Sequence, residues 1–402
     1  MTRTLATLTA VCAAALAGAG PAAADSIVYV KDLNVWLANA DGSGRYQVTT
    51  DGAPGWAYGS PSQADDGTIV ARRGTDIVRM RQNGEVLSSF DPPDTTDSAG
   101  QHIGGTPSQV AVSPDGSKVA YTYYQANCPP GVSCGVRYVM LYSHADRATP
   151  VETFGKLYRN NPSWMSNNRL LAFGGFLSQV NYDSPGGGND DDVHWFDDKD
   201  MFDPSTDLGD GELSRQGNRL ATLRGYADST HLMIYKVTQN VVSGSPSGPP
   251  TYACNTGEEP TLDSPNWSLD GKAIAFAHKD GIEVIPLPSV EYGCPGASSG
   301  RVVIPGGSEP DWGPAPVNPG PRGGGTGDQI AADPEPNTTT QPNNTTQPKK
   351  TTQRITCASM KSKKARTRCK RARALKKCKR IKAKSARTRC IRKVKRAYRS
   401  AK

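Results

Sequence analysis

The densest set of side chains able to do chemistry is the run GGGNDDDVHWFDDKDMFDPSTDLGDGE, Gly186 to Glu212. Asp190, Asp191, Asp192, Asp197, Asp198, Asp200 and Asp203 offer the several hard oxygen ligands that Ca²⁺ requires. The spacing is not that of an EF-hand loop, because the glycine and terminal glutamate fall at the wrong offsets, and a solvated surface loop explains the same residues. Ca²⁺ is the one cofactor the sequence suggests. The five histidines, His102, His144, His194, His231 and His278, are scattered and show no close metal-ligand spacing. GASSG, Gly296 to Gly300, fits the nucleophile-elbow pattern G-x-S-x-G, but it sits in a Cys-Pro-Gly loop with no helix to follow. These residues give a catalytic reading no positive support.

The opening MTRTLATLTAVCAAALAGAGPAAADS combines basic Arg3, a short apolar run and the small-residue site Ala22-Ala23-Ala24. It predicts a secretory signal over residues 1–24, cleaved before Asp25. No later run approaches the ~20 apolar residues of a membrane span, so the mature chain is expected to be secreted, periplasmic or held at the cell surface. Export favours disulfides for the eight cysteines after Cys12. Cys128 and Cys134 flank a short loop, and Cys254 and Cys294 bracket a repeat; both pairings rest on proximity alone.

The net charge of +9 conceals two opposite halves. Residues 349–402 hold 25 Lys and Arg and no Asp or Glu, leaving 22 Lys and Arg against 38 Asp and Glu before them, a net charge of −16. An acidic body with a basic tail points to a polyanionic partner for the tail. CASMKSKKARTRC, Cys357 to Cys369, aligns with CKRIKAKSARTRC, Cys378 to Cys390, at an offset of 21 residues. That period is close to six helical turns and the composition suits a helix, although crowded like charges oppose one. Cys357–Cys369 with Cys378–Cys390, or Cys357–Cys390 with Cys369–Cys378, are the natural pairings. Tyr398 is the tail's sole aromatic, so base stacking is nearly absent and nucleic acid is a poor fit. An anionic envelope polymer or lipid is the better partner. Before the tail, residues 316–353 are rich in Pro, Gly, Thr and Asn, too poor in apolar residues to bury a core, and read as a disordered linker.

What must position any site is a repeat. PSQADDGTIVARR from Pro61, PSQVAVSPDGSKVAYTYY from Pro107, PSWMSNNRLLAFGG from Pro162, LSRQGNRLATLRG from Leu213 and PNWSLDGKAIAFAHKDGIEVIPL from Pro265 share an opening strand, an Asp/Asn-Gly type turn and an apolar strand. A sixth opening, EPDWGP from Glu309, has only linker after it. The N-terminal meander from Ser26 to Thr50, with its DGSG turn at Asp41 to Gly44, lacks an opening strand. Joining those two incomplete pieces closes a ring of six four-stranded blades.

On these motifs the sequence resembles the TolB-type six-bladed β-propeller: SPNWSLDGKAIAFAH matches one half of that family's repeat and LNVWLANADGSGRYQVT the other. The resemblance covers about Ser26 to Gly313 and is weakest around Leu208 to Val237. It implies an all-β, six-bladed propeller over residues 25–315, after which composition gives the linker and a short basic tail, of helical composition, at 354–402. It also implies protein partners and envelope maintenance, since well-known members work with a peptidoglycan-associated lipoprotein. No counterpart of that family's separate N-terminal domain is recognisable, and the basic tail is foreign to it. The expected function is that of a monomeric, non-catalytic scaffold binding a protein or glycan at the cell envelope. The competitor is a secreted hydrolase or lyase with its site in the propeller channel.

Overall fold

The computed structural model of the chain describes residues 25–127, 135–146, 155–174, 179–184, 192–197, 208–225, 230–257 and 261–321. These form six four-stranded antiparallel sheets. From inner to outer strand, blade 1 is Ser308–Gly313, Ser26–Lys31, Asn34–Asn39 and Tyr46–Gln47; blade 2 is Tyr58–Gln63, Ile69–Arg73, Asp76–Met80 and Val86–Phe90. Blade 3 comprises Pro107–Val112, Lys118–Asn127, Gly135–His144 and Gly155–Leu157, and blade 4 Asn160–Ser166, Arg169–Gly174, Gln179–Asp183 and Val193–Phe196. Blade 5 comprises Leu208–Leu213, Arg219–Arg224, His231–Lys236 and Thr251–Asn255, and blade 6 Asp263–Trp267, Ala273–His278, Gly281–Pro286 and Arg301–Pro305. The innermost strands touch one another in cyclic order, blade 6 against blade 1 included, so the ring is closed.

Alternation in the sequence becomes a division of labour between neighbours. A strand sends successive side chains to opposite faces; in blade 1, Val35 and Leu37 pack toward blade 2 while Trp36 and Ala38 pack toward blade 6. Six hydrophobic clusters result among the described residues, one for each blade interface. Both faces of each sheet are therefore covered, and the strands read as near-continuous apolar runs such as AIAFA in Ala273–His278. The DGSG turn is the hairpin its residues demand. The Gly42 N–H donates to the Asn39 carbonyl at 2.8 Å, and Gly42 has φ +82°, where a Cβ would sit 2.0 Å from the Val303 carbonyl oxygen of blade 6.

Closure joins the expected segments: Gly313, Trp312 and Asp311 pair with Ser26, Ile27 and Val28. The seam is reinforced by the buried Ser26 hydroxyl, which donates to the Ala315 carbonyl at 2.7 Å. Past residue 315 the chain continues along the base of blade 2, where Gln82 donates to the Pro316 carbonyl and accepts from the Asn318 N–H. Blade 5, where the repeat is weakest in sequence, has all four strands. A two-stranded ribbon of Thr95–Thr96 and His102–Ile103 lies between blades 2 and 3. Cys254 and Cys294 form a disulfide that ties the outer strand of blade 5 to the loop before the outer strand of blade 6. Cys128, Cys134, Cys357, Cys369, Cys378 and Cys390 lie outside the described residues. No helix among the described residues is long and apolar enough to cross a membrane.

Two outcomes follow from this architecture. A chain ending at residue 307 should lose the cooperative melt, whereas one ending at residue 321 should keep it; calorimetry on both compares them. Replacing Cys254 and Cys294 by serine should destabilise by about 4 kcal/mol, the size set by a disulfide with a sequence separation of 40. Denaturant midpoints with and without reductant measure it.

Candidate functional site

The six innermost strands share one departure from regular pleating. Ser60, Gln109, Asn161, Asp210, Ser264 and Glu309, one per blade, have positive φ between 29° and 51°. At each the pairing with the second strand slips by a bulge. A residue in this region bends the strand and turns its side chain out of the ladder. From blades 1, 2, 3 and 5 that side chain reaches the next blade. Glu309 accepts from the Ser60 N–H, Ser60 Oγ from the Gln109 N–H at 3.1 Å, Gln109 Oε1 from the Asn161 N–H at 3.1 Å, and Asp210 Oδ2 from the Ser264 N–H at 3.0 Å. Two residues further on a second tier repeats the device. Asp311 Oδ2 accepts from the Gln63 N–H at 2.7 Å, Ser62 Oγ from the Val112 N–H at 3.1 Å, and Glu212 Oε2 from the Trp267 N–H at 2.7 Å.

With the ring closed, its axis bulged in all six blades, and the two sequence motifs lying on consecutive strands of single blades, the architecture is decided. In fold the chain is a six-bladed β-propeller of four-stranded blades.

No protein-family model matches the sequence, and no curated protein matches it. Among solved structures, TolB from Acinetobacter baumannii is similar at 16% identity and TM-score 0.46, covering 74% of this chain and 68% of that one. A putative 6-phosphogluconolactonase from Bacteroides uniformis is similar at 11% identity and TM-score 0.41, covering 70% and 98%. Kuenenia stuttgartiensis hydrazine synthase is similar at 11% identity and TM-score 0.39, covering 63% and 70%. These likenesses concern the fold.

The axis of this propeller encloses a cavity of about 310 Å³. Its wall is chemically two-sided. Blades 5, 6 and 1 contribute the carboxylates Asp210, Glu212, Asp263, Glu309 and Asp311, while blades 2, 3 and 4 contribute Ser60, Ser62, Ser108, Gln109, Asn161 and Ser163, with Arg72 added from blade 2. Asp210 and Asp263 meet over one donor, since the Ser264 N–H lies 3.0 Å from an oxygen of each. The carboxylates line the channel yet sit deep among protein atoms. Burial first, and the Asp263 charge second, push the Asp210 carboxyl up to about 7. Burial raises Glu212, with Asp311 adding to it; burial and then Glu309 raise Asp263; burial raises Asp311. At the base, Arg215 from the turn after the innermost strand of blade 5 meets Asp65 from the matching turn of blade 2 at 2.6 Å. Blades 2 and 5 stand opposite each other in a ring of six, so this ion pair crosses the axis and bars the lower mouth.

Of the sequence-suggested acidic segment, neither Asp192 nor Asp197 lines the channel. Asp192 pairs with Arg159 at 2.8 Å and Asp197 approaches His194 at 3.7 Å; Asp190, Asp191, Asp198, Asp200 and Asp203 lie outside the described residues. No group of three or more His, Cys, Asp or Glu poised to hold a metal occurs among the described residues. None of the histidines lines the channel. After GASSG the chain enters the strand Arg301–Pro305, not a helix. The channel carboxylates escaped the sequence reading because they are dispersed between residues 210 and 311. Four of the six bulged residues, Ser60, Asn161, Ser264 and Glu309, precede a proline, but Gln109 and Asp210 do not, so the sequence offers no uniform mark; aligned on the bulge, Asp210 and Glu309 share one position and Glu212 and Asp311 the next but one.

These shifts carry a sign. A carboxyl raised on folding lets the native chain hold protons that the unfolded chain has released, so stability falls as pH rises from about 4 through about 7. Hydrogen bonds from the Gln101 N–H to Asp97 and from Ser43 to Asp41 hold those carboxyls low, and that stability is lost as pH falls below the ordinary carboxylate range. Melting temperature should therefore peak near about pH 5. Asp210→Asn keeps an acceptor and removes a charge; it should raise the melting temperature at pH 8 by roughly 2–4 °C and flatten the slope above pH 5. Thermal scans from pH 4 to pH 9 check both.

Proposed function

We propose that this chain is an exported, non-catalytic binding protein whose propeller holds a protein or glycan partner at the cell envelope, while its basic tail associates with an anionic polymer or lipid there. The observation that carries the propeller half is the channel: a polar cavity barred at its base and acidic along blades 5, 6 and 1. Such a cavity suits a cationic projection of a partner entering by the other mouth. Its carboxylates are already employed as acceptors for backbone N–H groups, which favours a rigid receptor over a centre that must exchange protons. The tail half rests on charge, since 25 cations beyond an acidic body bind polyanions by releasing counterions.

A secreted hydrolase or lyase is the second reading, and the Asp210–Asp263 pair is the feature that favours it. Two carboxylates sharing one donor, one of them pushed up to about 7, are the raw material of acid–base catalysis. No histidine lines the channel beside them.

Capture from envelope extract with the full chain and with a chain ending at residue 321 tests the reading. Both should retain the same partner, whereas only the full chain should adsorb to anionic vesicles or envelope polymer and be released as salt shortens the screening length below ~8 Å. Steady breakdown of an envelope polysaccharide that disappears on Asp263→Asn would overturn the binding reading in favour of the enzyme.

A further inference from the structure

The first described residue is buried at the seam. Asp25 is 7% exposed and Ser26 fully enclosed. The Asp25 carboxylate accepts the indole N–H of Trp312 at 3.0 Å, joining the start of the chain to the closing strand. Its other oxygen, Oδ1, is buried without a hydrogen-bond partner. The carboxylate also lies beside its own backbone nitrogen and that of Leu269, and it feels the negative charge of Asp270 in the neighbouring blade 6 turn. Asp270 has Lys272 and Arg219 near it; the Asp25 carboxylate has no cation of its own among these neighbours. A half-satisfied buried carboxylate beside a second one is costly unless a positive donor reaches it.

We propose that cleavage between Ala24 and Asp25 supplies that donor: the α-ammonium of the mature chain pairs with the Asp25 carboxylate and locks the propeller seam through Trp312. The proposal rests on the export reading for its first half only. In the cleavage a peptidase of the signal-processing class directs water onto the Ala24 carbonyl, and the C–N bond breaks. The oxygen of water stays on Ala24 as carboxylate, and the Asp25 nitrogen takes up a proton to become an ammonium. An amide nitrogen with one donor and no charge is thereby replaced by three donors and a full positive charge. That nitrogen already lies against the carboxylate in need of it. The only new atoms at the site are protons, so the fold need not rearrange. Processing would then do more than release the protein, because it would finish the blade in which the two ends of the propeller meet.

The sign of the pH dependence is fixed. An α-ammonium paired on folding has its pKa raised above the unfolded value of about 7.7–8.0, so its contribution is complete below that value and is lost as pH rises through the folded one. It fades again in acid as the carboxylate protonates. The comparison is between chains 25–402 and 24–402, each released from a removable fusion and refolded, with Asp25→Asn in both. At pH 7 the chain starting at Asp25 should melt roughly 2–5 °C above the one retaining Ala24. The gap should close by about pH 10.5, when the amine is neutral, and should be absent between the two Asp25→Asn chains. Equal melting at pH 7, or a gap that persists in alkali or in the Asp25→Asn pair, would overturn the pairing. Separately, the amino-terminal sequence of protein recovered from the exporting host should begin Asp-Ser-Ile; any other first residue would overturn the cleavage site while leaving the pairing to the melting comparison.

Discussion

Everything at the axis depends on how the inner edges of six sheets are satisfied. Each innermost strand has a partner on one side only, and because the blades splay from the axis, its other edge cannot join a ladder with its neighbour. Unpaired buried N–H groups are expensive. The chain solves this with side chains: every blade carries a left-handed bulge, and from blades 1, 2, 3 and 5 the bulged Glu, Ser, Gln or Asp accepts the exposed N–H of the next blade. The tier of Ser62, Glu212 and Asp311 repeats the solution. Where Ala111 offers no acceptor, its own carbonyl takes the indole N–H of Trp164 at 3.0 Å, and between blades 6 and 1 the Asn266 amide donates to the Pro310 carbonyl at 2.8 Å. Inter-blade packing holds the sheets face to face, but this ring holds them at the axis.

The same solution explains the channel's chemistry. Acceptors are needed and ionised carboxylates are strong ones, so aspartate and glutamate at these positions are part of the framework before they are part of any binding site. Burial raises the proton affinity of Asp210, Glu212, Asp263 and Asp311, and repulsion from neighbouring carboxylates adds to it at the first three. Arg215 relieves this locally, acting on Glu212 and Asp311 while it pairs with Asp65 across the base. A pocket with this electrostatic character is a by-product of closing the ring, available for recruitment by a ligand.

The architecture was legible in the sequence and most of the candidate site was not. Repeats with matched turns announced the blades, and an opening strand without a blade at Glu309, set against a meander without an opening strand at Ser26, announced the closure. Cys254 and Cys294 were placed correctly because each flanks the same repeat. The channel was missed for a geometric reason. A bulge displaces the pleat by one residue, so alternation no longer tells which side chain faces the axis. Arg215 and Asp65, 150 positions apart, meet only because their blades face each other across the ring, with two blades between them in either direction. The acidic run near Asp190 drew attention by density in sequence, whereas the axial carboxylates are dense only in space.

The seam also fixes the order in which the molecule can be completed. The Ser26 hydroxyl and the Ala315 carbonyl that it reaches are 289 positions apart, so a chain made from its amino terminus carries blade 1 as three strands with an open edge until the stretch beyond residue 313 has emerged. Blades 2 to 6 can each pair their strands as they appear, because every neighbour they need within the sheet is local. The result before that moment is an arc with two free edges, and the loop that must close is long, though length adds only logarithmically to its entropic cost. Completion is therefore timed by synthesis of the last strand, and until then the chain remains a linear object that can still be threaded.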